Sequence, residues 1–235
     1  MKRALWIAIA ILSFLGVSSA ISRAIAVIDP DGAVVRTQRQ FFRAINDDES
    51  VIRQFEARFA AHPTLTLLHV LPGALFLTLG PLQFSRRIRA RHLPFHRWSG
   101  RVLVVAAIVS AIASLYFGVL HPFAGLGEVS SIATFGALIV FSVVRGFVAI
   151  RRGDVARHRE WMIRAFAIGI GISTIRVVGA IVQLVARTTP AETVTISFWA
   201  GWTLTLAVAE TWIRLTSTSA RTYSSAAHDI GSALR

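Results

Sequence analysis

Apolar residues occur along the chain in blocks of about 20, the length that a helix needs to cross the hydrocarbon core of a bilayer. The first block, 4–20, follows a basic N-terminus and ends in Val-Ser-Ser-Ala, so it fits a transmembrane helix and a cleaved signal peptide equally well. The later blocks predict five further spans, at 63–84, 102–120, 129–150, 161–186 and 194–215.

This pattern predicts an all-α, polytopic transmembrane helical bundle with about six spans, or five if the first segment is cleaved. Residues 1–24 form the N-terminal transmembrane helix or signal anchor, and 25–60 form an amphipathic segment outside the cytoplasm. Residues 61–215 hold the five-span bundle. The small polar residues of 216–235 predict a flexible cytoplasmic tail.

Composition and charge fit a membrane protein. The 235 residues are 54% hydrophobic and 16% charged, with a mean hydropathy of +0.60. The net charge of +13 is concentrated in the loops 85–101 and 151–160, and such basic loops mark the cytoplasmic side. We therefore expect a multi-pass protein of the bacterial inner membrane, with a cytoplasmic C-terminus and the lipid bilayer as its partner. Nucleic acid is excluded as a partner, because these basic residues flank apolar spans instead of forming a soluble base-reading element.

The chain has no cysteine, which excludes disulfides, thiolate metal sites, iron–sulfur clusters and covalent haem attachment. A bound metal or haem would therefore depend mainly on histidine. His96 and His158 lie at the basic ends of two different spans, and two imidazoles at equal depth are what a six-coordinate haem b requires. Arg97, Arg101 and Arg164 would then bind its propionates. A histidine at a helix end near the headgroups is also tolerated without any ligand.

Ionisable groups inside a bilayer are costly unless they are paired or hydrated, so each is a candidate functional residue. His69 and Arg176 lie at comparable depths in the outer halves of their spans, where they could line one polar cavity. Gly73 shares the face of His69 and suits close approach of a planar group or of a neighbouring helix. His121 is the candidate second ligand beside His69. Arg176 would contact a propionate or quinone oxygen, or else backbone carbonyls or water.

Several of these positions follow the pattern of a known family. The pattern comprises His62-Pro63, His69 with Gly73, Gly80-Pro-Leu-Gln-Phe84, His96-Arg-Trp-Ser-Gly-Arg101, Arg152-Gly-Asp154, His158-Arg-Glu-Trp-Met-Ile-Arg164 and Arg176. It resembles the uncharacterised bacterial membrane proteins called domain of unknown function 2306, from about Ala60 to Arg176. The resemblance implies fold and location, not activity. It directs attention to His69, His96, Arg97, Gly100, Arg101, His158, Trp161 and Arg164, whereas His121 falls outside it.

Three functions are compatible with these features. The first is transmembrane electron transfer through haem b, with a quinone or another member of the respiratory chain as partner. The second is a non-enzymatic assembly or scaffold factor, for example for respiratory oxidases. The third is small-molecule transport, which the absence of internal repeats disfavours. Hydrolase motifs such as GxSxG and HExxH are absent, and the sequence leaves open whether the protein is an enzyme.

Overall fold

The computed structural model describes residues 2–37, 40 and 56–233, with side chains from 3 to 217 within those ranges. Part of the predicted amphipathic segment, residues 38–39 and 41–55, lies outside the described residues. Every described element is a helix, which confirms the all-α fold class. The helices with described bounds are α1 Lys2–Ile28, α2 Pro63–Gln83, α3 Arg86–Arg91, α4 Leu93–Leu120, α5 Leu126–Arg151, α6 Val155–Val185 and α7 Pro190–Ala233.

Five of these helices, α1, α2, α4, α5 and α6, are long and apolar enough to cross a membrane. The sixth predicted span, 194–215, lies within α7, which is not among these five. The backbone of α7 continues as a helix to Ala233, past the predicted end of that span. The mobility of segment 216–235 stays a prediction.

Helix α4 begins nine residues before the predicted span. Polar residues such as His96 and Ser99 lower the hydropathy before Val102, but Pro94 in the first turn has the backbone angle that starts a helix. The Ser99 hydroxyl donates to the Phe95 carbonyl of the preceding turn. As a result His96 lies on the first turn of a long helix and not in a loop.

Four helices form a ring at the centre of the molecule. Helix α2 contacts α4, α4 contacts α5, α5 contacts α6, and α6 returns to α2, so α4 and α6 lie on opposite sides of the ring. Helix α1 packs on α2 and α6, and α7 packs on α6 and α5. Arg159 and Glu160 at the start of α6 bind Thr216 and Ser217, so α7 runs antiparallel to α6.

Two glycines allow α2 and α6 to pack closely. A Cβ atom on Gly80 would lie 2.6 Å from the Phe166 ring, and one on Gly169 would lie 2.7 Å from the Phe76 ring. Each phenylalanine therefore fills the space that the glycine on the other helix leaves open. These rings belong to the main apolar cluster of the bundle, with Leu103 of α4 and Val143 of α5.

The outward faces of the helices are apolar. Phe14 is 71% exposed, Val105 61% and Leu184 85%, an arrangement that is favourable only where lipid replaces water. Arginines gather at one end, where α3 lies and α6 begins, and this end is called the basic end below. The other end, where α4 leads into α5, is called the distal end.

Candidate functional site

His158 is held in a defined orientation at the basic end. Its Nδ1 lies 2.9 Å from the carbonyl oxygen of Gly146 on α5. A carbonyl can only accept, so Nδ1 carries the hydrogen and the neutral ring has its lone pair on Nε2. A Cβ atom on Gly146 would lie 3.3 Å from both Trp161 and Met162, so glycine lets α5 approach α6 closely here.

His96 and His158, the predicted inner pair, both lie at the basic end. The two imidazoles come from opposite helices of the ring and are within electrostatic reach of each other. The Nδ1 atom of His96 is buried and has no hydrogen-bond partner among the described residues. A buried polar atom without a partner is costly, so the position favours a ligand that can bind it.

The arginines around this pair differ from those predicted. Arg164 was expected to bind a propionate, but it forms a two-bond salt bridge with Glu210 of α7, with Nη2 and Oε2 3.0 Å apart. The salt bridge satisfies the Arg164 charge and fixes α6 against α7. Arg97 and Arg101 are exposed, and Arg97 is within electrostatic reach of His96.

Two arginines near the histidines were missed. Arg89 of α3 is within electrostatic reach of both His96 and Arg159, and its guanidinium donates to the Gln83 carbonyl at 3.1 Å. Arg159 follows His158 directly and donates to Thr216 at 3.0 Å. Their membership of the two basic loops was the available signal, but only the fold shows that Arg89 lies within electrostatic reach of His96 and of Arg159.

His69 and Gly73 meet α4 in the distal half of the bundle. His69 Nδ1 lies 3.0 Å from the Ser110 carbonyl oxygen, and the Ser110 hydroxyl donates to the His69 carbonyl at 2.8 Å. A Cβ atom on Gly73 would lie 3.2 Å from that hydroxyl. The face of Gly73, predicted to suit either a planar cofactor or a helix, is therefore occupied by α4.

Arg176 and His121 complete the account of the predicted residues. Arg176 donates to the Ile172 carbonyl at 2.9 Å, the backbone bond that was the alternative to a ligand contact, and it lies within electrostatic reach of His69. His121 lies against His62, with ring centroids 4.0 Å apart and ring planes tilted by 30°, whereas His69 contacts Ser110. The two members of the predicted outer pair therefore have different partners in the structure.

No group of three or more His, Asp or Glu side chains in the described ranges is placed to hold a metal ion. A haem needs only one imidazole on each side of its ring. His96 and His158 would therefore need no third side chain to hold one.

A buried carboxylate at the distal end was also missed. Glu128 is 1% exposed and accepts hydrogen bonds from Arg58 at 2.9 Å and from the backbone N–H groups of Phe123 and Ala124 at 2.6 and 2.7 Å. It ties the α4–α5 loop to the chain that leads into α2. A lone acidic residue at the start of an apolar span was the signal in the sequence.

A family model described as "Predicted membrane protein (DUF2306)" matches residues 66–213, well over half of the chain. The chain belongs to this family. The match includes His69, His96, His158 and Arg176, and it ends in α7 beyond Glu210. No curated protein and no solved structure matches the chain. The DUF2306 description gives membrane location and no activity, so the function has to be argued from the site.

Proposed function

We propose that this DUF2306 protein binds haem b at the basic end of its bundle, where His96 and His158 would hold it, and serves in electron transfer. The observation that carries the proposal is that these two imidazoles, from opposite helices of the ring, lie within electrostatic reach of each other at one end of the bundle. Cofactor sites in helical bundles are built from side chains that face one another across the core.

The chemistry of the two rings suits axial ligation. Metal-ligating histidines commonly donate the other ring N–H to a backbone carbonyl, which fixes the ring and raises its basicity. The bond from His158 to Gly146 has this form and leaves Nε2 to ligate. His96 has a buried ring nitrogen with no partner among the described residues, which supports a ligand at this position.

The surrounding charges suit the propionates of a haem. Arg89 and Arg97 lie within electrostatic reach of His96, and Arg159 lies within reach of Arg89. Guanidinium groups bind carboxylates through strong, charge-assisted hydrogen bonds. Bound haem would supply one-electron chemistry, while the helices hold its ligands and the apolar cluster of Phe76, Leu103 and Phe166 keeps water from the interior.

An absorption spectrum tests the proposal. Protein purified from haem-replete cells should show a Soret band that shifts on reduction. The substitution His158→Asn should abolish or strongly reduce this band, because an Asn amide can still donate to Gly146 but offers no imidazole ligand. The matched control is His92→Asn, since His92 is an exposed histidine four residues before His96.

The control variant should retain the wild-type spectrum. A colourless wild-type protein, or a Soret band that is unchanged in both His96→Asn and His158→Asn, would overturn the proposal. A colourless protein whose deletion lowers respiratory oxidase activity would instead favour the assembly factor.

We further propose that the basic end is cytoplasmic and that the protein lies in the inner membrane. Because the chain has no cysteine, single-cysteine variants report on topology without background. In spheroplasts, a membrane-impermeant maleimide should label Arg187→Cys at the exposed distal end and leave Arg91→Cys at the basic end unlabelled. Both variants should react after detergent lysis. Labelling of Arg91→Cys alone in intact spheroplasts would show that the protein has the opposite orientation.

A further inference from the structure

A second polar cluster lies in the distal half of the bundle and has no part in the proposed haem site. It consists of His69 on α2, Arg176 on α6 and Arg23 on α1, and it is called the distal polar cluster. Phe76 of α2 packs against Gly169 of α6, and His69 and Arg176 each lie seven residues, or about two turns, farther toward the distal end on the same side of these helices. Arg176 is also within electrostatic reach of both other members. His69 lies six residues from the start of α2 and Arg176 nine from the end of α6, roughly 9 and 14 Å along the helices.

The orientation of Arg176 is unusual for a basic residue in a span. Long basic side chains near helix ends normally extend toward the nearer membrane surface. Arg176 instead donates to Ile172, which lies one turn deeper in the membrane, while its side chain keeps accessible surface. No carboxylate in the described ranges forms an ion pair with it, whereas Arg23, another cation, lies within electrostatic reach. Glu56 lies within electrostatic reach of Arg23 and offsets part of its charge, whereas an electron-rich oxygen from a ligand would stabilise the charge of Arg176 in a medium of low dielectric constant.

One member of the cluster, Arg23, lies at a cavity at the distal end. Arg23 lines this cavity of about 270 Å³, together with Val35, Glu56 and Phe59. The Arg23 guanidinium lies 4.3 Å from the centroid of the Phe59 ring. The cavity is lined mainly by apolar side chains, which suits the entry of an amphipathic ligand.

The hydrogen bonds of His69 determine which ligand group it can bind. Its Nδ1 faces the Ser110 carbonyl, which can only accept, and the hydrogen of the Ser110 hydroxyl is used in the bond to the His69 carbonyl. Nδ1 is therefore the donor, and the neutral ring has its lone pair on Nε2. The cluster thus presents a hydrogen-bond donor on Arg176 and an acceptor on His69.

We propose that the distal polar cluster binds the head group of an isoprenoid quinol, with one ring oxygen accepting from Arg176 and a ring hydroxyl donating to Nε2 of His69. A quinol head has both an acceptor and a donor and enters the membrane on an apolar tail. A phospholipid phosphodiester has acceptors only, so it matches Arg176 but not the lone pair of His69. Binding at this cluster does not require haem at the basic end.

The first experiment uses the wild-type protein. Full-length protein in phosphatidylcholine nanodiscs is titrated with a decyl-benzoquinol, and binding is followed by quenching of the fluorescence of its six tryptophans, with empty nanodiscs as baseline. The dimethyl ether of the same quinol keeps its ring oxygens but has no hydroxyl hydrogen. We expect it to bind about tenfold more weakly, because the bond to His69 is lost. Equal affinities for the two compounds would overturn the assignment of His69.

Variants test the two contacts separately. His69→Asn keeps a donor for the Ser110 carbonyl but removes the Nε2 acceptor, so it should bind the quinol and its dimethyl ether with equal affinity. Arg176→Gln should weaken quinol binding by about tenfold or more, because a charged hydrogen bond is lost. The matched control Arg187→Gln removes an exposed arginine near the end of the same span and should bind as the wild type does.

The remaining outcomes are also decisive. Wild-type binding no stronger than that of empty nanodiscs, or equal affinities in the wild type and Arg176→Gln, would overturn the proposal. Displacement of the quinol by phosphatidylglycerol, but not by added phosphatidylcholine, would assign the cluster to an anionic lipid instead. Quinol binding by a colourless protein would refute the haem proposal and leave the quinol proposal standing. A haem-containing protein that does not bind quinol would refute the quinol proposal and leave the haem proposal standing.

Discussion

Replacement of Glu128 by glutamine should lower the free energy of unfolding by about 3 to 5 kcal/mol, the usual cost of removing one partner of a buried ion pair. One carboxylate oxygen accepts from Arg58 and the other accepts from both Phe123 and Ala124. An amide has one accepting oxygen. If that oxygen accepts from the loop N–H groups, the amide hydrogens point toward the Arg58 guanidinium. Two hydrogen-bond donors then face each other. Unfolding in mixed micelles, followed by circular dichroism, measures the loss.

A double-mutant cycle separates the ion pair from the loop bonds. Arg58→Met removes the cation, so in the variant Arg58→Met/Glu128→Gln the amide no longer faces a donor. We expect the double variant to be less destabilised than the sum of the two single variants, with a coupling of more than about 1 kcal/mol. Additive effects would show that the 2.9 Å contact does not contribute to stability.

Substitution of Gly201 by alanine should destabilise the contact between α6 and α7 by roughly 1 to 3 kcal/mol. A Cβ atom at this position would lie 2.8 Å from the backbone nitrogen and Cα of Ile175, and a backbone cannot rotate away as a flexible side chain can. The helices would have to separate, and Trp202, which donates to the Ile168 carbonyl across the same interface, would lose contacts. The midpoint of thermal unfolding should fall.

Gly100→Ala is the matched control for this substitution. Gly100 is also helical, but a Cβ atom there would meet only the end of the Gln83 side chain, at an ordinary contact distance of 3.4 Å. We expect no loss of stability, because alanine is the better helix former by about 1 kcal/mol. A loss as large as that of Gly201→Ala would show that the effect belongs to glycine replacement in general and not to the packing of α6 on α7.

The number and position of most spans were predictable from the sequence. The predicted span 63–84 corresponds to α2, Pro63–Gln83, and 129–150 corresponds to α5, Leu126–Arg151. A helix forms its backbone hydrogen bonds within its own segment, so the length of an apolar block nearly determines a membrane helix. The early start of α4 at Leu93 was missed because hydropathy averages conceal polar residues that the backbone tolerates in a first turn.

The candidate site was predictable only in part. The location of His96 and His158 at the basic end followed from their positions beside the basic loops of two spans. The salt bridge between Arg164 and Glu210 could not be predicted. These residues are 46 positions apart, and they meet only because of how α6 and α7 are rotated about their axes. The contact between His121 and His62 likewise depends on where the chain before α2 lies against the end of α4.

The sequence alone determined that this protein is a helical membrane bundle with one strongly basic end, since hydropathy and charge act locally along the chain. The tertiary structure decided which polar side chains find partners. It paired Arg164 with Glu210 and Glu128 with Arg58. It placed neighbouring helices against the faces of Gly73 and Gly80. It left the imidazoles of His96 and His158 within electrostatic reach of each other. Such contacts depend on the rotation and close approach of helices, which the packing of small and aromatic side chains distant in sequence determines together.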